Sequence, residues 1–85
     1  MTTEQKAKAA FVRKNLKPLL QDADGKIRNV AYITAENGRA TEEIVVVVRE
    51  QRDFSEKQID INVTGDSLKA ITKDVIRKMA EEWRI

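Results

Sequence analysis

Three cations recur every four residues near the end of the chain: Lys69, Lys73 and Arg77, with Arg84 one helical face further on. On a helix that spacing builds one basic stripe, and the chemistry open to it is contact with phosphate. Like charges so spaced repel by about 0.2–0.5 kcal/mol per pair. Arg77 has Glu81 within helical reach, and Lys78 has Asp74 and Glu82, so a solvated face is the simpler expectation. Lys6, Arg13, Lys14 and Lys17 make a second basic band near the start, with the same solubilising reading. The carboxylates do not converge. Glu42 and Glu43 are neighbours in a strand and face opposite sides; Glu81 and Glu82 diverge on a helix. The chain has no His and no Cys, two Ser and one Tyr. Thiolate metal sites and disulfides are therefore excluded, and the commonest general base near neutral pH is missing. Neither a Gly-rich phosphate loop nor a nucleophile elbow is present. The expectation is a protein that is not an enzyme, with no catalytic residue, no cofactor and no metal.

These residues must be positioned by few elements, because 85 residues make one domain, 1–85. Residues 3–17 read as a helix capped by Thr2 or Thr3, with Ala9, Val12, Leu16 and Leu19 on one face. Pro18 should stop or kink it. Asp24-Gly25 marks a turn into strand one, residues 26–35. ENGR, residues 36–39, signals a hairpin into strand two, residues 41–50. A connection that includes Phe54, expected to fold back as a plug, leads to strand three, residues 58–64. Gly65 ends that strand. Asp66 or Ser67 caps a last helix whose apolar stripe is Leu68, Ile71, Thr72, Val75, Ile76, Met79 and Trp83. Trp83 is expected to close an edge of the core. The fold class is α+β: a two-layer sandwich in the order α-β-β-β-α, its three-stranded antiparallel sheet ordered 1-2-3, with both helices on one face.

Strand two raises a question of parity. Ile44, Val45, Val46, Val47 and Val48 are consecutive, although alternate side chains point to opposite faces. Strand three alternates cleanly, with Ile59, Ile61 and Val63 inward. Assigning Ile44, Val46 and Val48 inward as well leaves Val45 and Val47 on the bare face, beside Val30 and Tyr32. That predicts an apolar patch, Val30–Tyr32–Val45–Val47, rimmed by Glu43, Arg49, Asp60 and Asn62, which has the layout of an interaction surface. Burying it would contribute several kcal/mol at about 25 cal/mol per Å².

The charge is segregated. Residues 1–28 carry seven basic and three acidic groups, residues 29–62 four basic and seven acidic, and residues 63–85 five basic and four acidic. The helix layer is basic and the sheet layer acidic, which weighs against a sheet-to-sheet homodimer and favours a basic partner. The function expected is a small protein–protein interaction module acting through the open sheet face, with itself or another protein as partner and Val30, Tyr32, Val45, Val47 and Arg49 at the interface.

The element order also resembles that of the double-stranded RNA-binding domain, over nearly the whole chain. The resemblance implies an alternative: a nucleic-acid-binding module in which Lys69, Lys73, Arg77 and Arg84 on the basic helix layer meet phosphates. It lies in topology alone, since DSLKAITK places Leu68 where that family carries the first of two adjacent lysines, and ENGRA replaces its Pro- and His-bearing hairpin. The N-terminus lacks the apolar run of a signal peptide and no window reaches the length of a membrane span, so a cytoplasmic location without membrane contact is expected.

Overall fold

Thr2 opens the first helix with a reciprocal cap: its hydroxyl accepts from the Gln5 amide, and the Gln5 side chain accepts from the Thr2 amide. The computed structural model describes residues 1–84. Helix α1 (Thr3–Phe11) continues through a π-helical turn (Val12–Leu16) into α2 (Lys17–Ala23). Pro18 thus does not end the helix. The widened turn bonds the Lys17 amide to the Val12 carbonyl, and Pro18 falls in the first turn of α2, where its missing donor has no cost. The π turn also advances the apolar stripe in steps of four, so Val12, Leu16 and Leu20 are buried while Leu19, expected inward, is 50% exposed.

Three strands follow, β1 (Ile27–Asn37), β2 (Ala40–Glu50) and β3 (Glu56–Asn62), then α3 (Leu68–Trp83). The sheet is antiparallel in the order β1-β2-β3, and the α+β sandwich expected from the sequence is the fold. Ser67 caps α3 by accepting from the Ala70 amide. Gly65 allows the chain to pass close beside that helix, since a Cβ there would lie 2.7 Å from the Cβ of Ala70. One continuous core joins Val12, Leu16 and Leu20 from the first helical segment, Ile71, Val75 and Met79 from α3, and the inner sheet face. Leu68 and Ile76 lie outside it, exposed on α3.

Two turns fix which side chains form that inner face. The first hairpin pairs Asn37 with Ala40, so its loop is Gly38-Arg39. Gly38 alone is at positive φ, as a turn with glycine first requires. The second connection closes where the Gln51 amide donates to the Ser55 carbonyl and the Phe54 amide donates to the Gln51 carbonyl. Three residues remain in its tip, Arg52 to Phe54. An odd loop makes odd-numbered residues of β2 face odd-numbered residues of β3: Val45 opposite Ile61, Val47 opposite Ile59. The inner face therefore includes Val30, Tyr32, Val45, Val47, Ile59 and Ile61.

This corrects the predicted interface. Val30, Tyr32, Val45 and Val47 lie beneath the chain's own helices, and Val45 and Val47 are 0% exposed. Ile44, Val46 and Val48, expected inward, face outward. A one-step change of parity moves every side chain of a strand to the opposite face. Strand β1 contains its own irregularity: Ile27 pairs with Arg49 and Asn29 with Val48, so Arg28 is an extra residue. That bulge allows both Ile27 and Val30 to point inward, three positions apart.

Phe54 is not a plug. It is 84% exposed and takes φ +65° at the end of the three-residue loop, where glycine or asparagine is the unstrained choice. Asp53 braces the loop by accepting from the Ser55 amide at 3.1 Å and the Ser55 hydroxyl at 2.6 Å. Phe54→Gly should raise stability by about 1 kcal/mol, because a left-handed bulky residue costs roughly 1–2 kcal/mol. A higher urea midpoint checks this; a lower one would mean that the ring contributes to the fold.

Candidate functional site

The outer sheet face is built by cross-strand rows. Ile33, Ile44 and Asn62 form one row, Ala31, Val46 and Asp60 the next, and Asn29, Val48 and Gln58 a third. Ile44, Val46 and Val48 run down the central strand, with Ala31 and Ile33 beside them on β1. Ile33 is exposed; Ala31, Ile44, Val46 and Val48 are half-buried among their strand neighbours. Polar groups occupy the β3 side. Glu42 lies at one end opposite Ala35, and Glu50 faces Glu56 at the other. Arg28, on the bulge, forms a salt bridge with Glu50. Among the described residues the face thus holds four carboxylates, Glu42, Glu50, Glu56 and Asp60, and one cation around an apolar strip. Lys57 does not belong to it, because its ammonium reaches inward to Glu82 of α3 at 2.8 Å.

Charged residues of the opposite parity do structural work. Glu43 accepts from the Tyr32 hydroxyl and, at 2.9 Å, from the Lys8 ammonium, which ties α1 to β2. Lys8 is buried. The hydrogen bonds from Tyr32 and Lys8 hold the Glu43 carboxyl below its ordinary range, while burial and then the hydrogen bond to Glu43 push the Tyr32 phenol well above its own. Arg49, predicted at the interface, instead donates to Asp24 at 2.5 Å, and Trp83 donates to the same oxygen at 2.8 Å. Burial opposes ionisation of Asp24, but the bonds from Arg49, the Lys26 amide and Trp83 outweigh it and leave its pKa lowered. This cluster pins the end of α3 to the α2–β1 turn, and Trp83 packs against the core edge as expected.

The basic stripe lies on the exposed side of α3: Lys69, Lys73, Arg77 and Arg84 are all exposed. Among the described residues none of the four has a carboxylate within 4.0 Å, so the helical partner expected for Arg77 does not engage it. Lys78 pairs with Glu81 at 3.7 Å, and Asp74 instead accepts from the Thr64 amide and hydroxyl. Arg77 also lines an open groove of about 240 Å³ between α3 and β3, together with Asp60, Asn62, Asp74 and Glu81. No group of three or more metal-ligating side chains lies together among the described residues, and no helix there is long and apolar enough to cross a membrane.

The outer strip, Ala31–Ile33–Ile44–Val46–Val48, was missed by parity alone. The signal that finds it is the three-residue tip of the second hairpin, which carries no glycine to announce its length. No family model, curated protein or solved structure matches this chain, so the likeness to the double-stranded RNA-binding domain stays one of element order.

The buried Lys8–Glu43–Tyr32 cluster makes stability depend on acid. Glu43 is depressed in the folded state, so its stabilisation is complete above the ordinary glutamate value of 4.5 and is lost as pH falls through the lower folded value. Glu43→Gln should cost about 1–3 kcal/mol at neutral pH and flatten the fall in stability below that point. Urea denaturation across pH 7 to 3 checks it; a variant curve parallel to the wild type would remove Glu43 from the acid response.

Proposed function

We propose that this chain is a non-catalytic protein–protein interaction module whose working surface is the outer face of its sheet. The observation that carries this reading is the strip Ile33–Ile44–Val46–Val48, an apolar run on the central strand and its neighbour that no element among the described residues covers. Both helices lie on the other side. An apolar centre inside a polar rim is the arrangement of docking surfaces, and only a few of its residues need carry most of the energy. The exposed Phe54 lies beyond the Glu50–Glu56 end of the same sheet and adds an aromatic group at its margin.

Affinity capture from the source cells tests the reading, with Val46→Lys compared against Lys73→Glu, which changes charge on the helix layer alone. A protein retained by the wild type and Lys73→Glu but lost with Val46→Lys is the expected result. Indifference of every captured protein to Val46→Lys, with the variant folded by circular dichroism, would contradict it.

A second reading is supported by the pairing pattern on α3. Lys69, Lys73, Arg77 and Arg84 are exposed and free of carboxylates within 4.0 Å among the described residues, which suits contact with nucleic-acid phosphates. On this reading duplex RNA or DNA binds at low salt, the affinity falls steeply as salt rises, and Lys73→Glu with Arg77→Glu abolishes it. Fluorescence anisotropy measures this, and no binding at low salt would end it.

A further inference from the structure

We infer that the occupant of the outer sheet face is a basic amphipathic helix of a partner protein, laid along β2. The inference rests on the reading of that face as a docking surface and adds its partner. Width is the first argument. Three strands about 4.8 Å apart set the outer two roughly 10 Å from each other, which is about the diameter of one helix with its side chains. Length is the second. Ile44, Val46 and Val48 present apolar groups at intervals of about 6.7 Å along the strand, close to the 6 Å rise between helix positions four apart.

Charge is the third argument. Glu42, Glu50, Glu56 and Asp60 surround the strip, and Arg28, already bound to Glu50, is the one cation on the face among the described residues, with Arg77 and Lys78 of α3 lining the groove beside Asp60 at its β3 edge. Lysines and arginines flanking an apolar helical stripe would meet carboxylates at both ends of the strip and along its β3 side. A second copy of this chain is a poor occupant by the same measure, because two acidic rims would face each other. Its area is also small. Seven paired residues by three strands give on the order of 300 Å², against about 800 Å² per partner in a standard stable interface. The contact is therefore a transient one, strengthened by opposite charge and weakened by salt.

A displayed library of single helices randomised on one face tests this directly, selected on the wild-type chain and counter-selected on Val46→Lys. Where that variant unfolds, Val46→Thr takes its place, because threonine keeps the strand propensity and shape while adding a hydroxyl. The expected winners carry apolar residues at spacings of three and four flanked by Lys or Arg. The leading peptide, synthesised, should bind the wild type and lose about tenfold or more in affinity with Asp60→Lys and on raising salt. Winners that depend on Val46 but are neutral or acidic would overturn the partner's charge and leave the docking face standing. A chain that sediments as a dimer, made monomeric by Val46→Lys, would replace the helix with a second copy. A monomer that enriches no Val46-dependent helix would overturn both the partner and the face.

Discussion

Val47 lies opposite Ile59 and Val45 opposite Ile61, and the two layers of the molecule follow from that pairing. Those four residues, with Val30 and Tyr32, give the helices an apolar floor, and Val12, Leu16, Leu20, Ile71, Val75 and Met79 fill it from above. In a domain this small there is one core, so a strand that presented its other face would turn Glu43 and Arg49 outward, away from Lys8, Tyr32 and Asp24, and set Glu42 and Glu50 beneath the helices. The pairing is itself set by a loop of three residues closed by backbone hydrogen bonds at Gln51 and Ser55. Holding Phe54 in a left-handed conformation is the local cost of that loop.

The same constraint explains how buried charge is tolerated. Residues of inward parity at the two ends of β2 are polar, Glu43 and Arg49, and each finds partners: Tyr32 and Lys8 for the first, Asp24 for the second. Each cluster ties a helical segment to the central strand, so the core is bounded at either end by a hydrogen-bonded ion pair. No buried side-chain polar atom among the described residues is left without a partner. Replacing one member of such a pair leaves the other charge uncompensated, which is more damaging than the worth of the pair itself. The outward parity has no such closure. Its apolar strip and acidic rim are presented to solvent, while Lys69, Lys73, Arg77 and Arg84, unpaired among the described residues, are exposed on α3 and its C-terminal cap, so the two layers differ in charge as well as in structure.

Much of the fold is legible in the sequence. The alternation Ile59–Ile61, the ENGR hairpin and the Ser67 cap mark three elements through local chemistry, and each is where the pattern places it. Pro18 misleads because a π turn can absorb a missing donor without ending the helix, and nothing in the neighbouring residues announces that turn. The face of β2 is illegible for a different reason. Five consecutive apolar residues satisfy either parity equally, so the assignment depends on the length of a turn whose critical position holds Phe54 instead of glycine. The predicted patch therefore falls on the wrong set of valines, and an apolar strip within a charged rim lies on the opposite face. Val30, Tyr32, Val45 and Val47 are core, and the surface they seemed to form is supplied by their immediate neighbours.

Methyl NMR with a soluble paramagnetic agent reads that alternation residue by residue. Signals of Val46 and Val48 should be strongly attenuated while those of Val45 and Val47 remain nearly untouched, in agreement with a solvent-facing strip over a closed core. Equal protection of all four valines, or attenuation of Val45 and Val47 instead, would contradict the pairing from which the fold and the proposed surface are both derived.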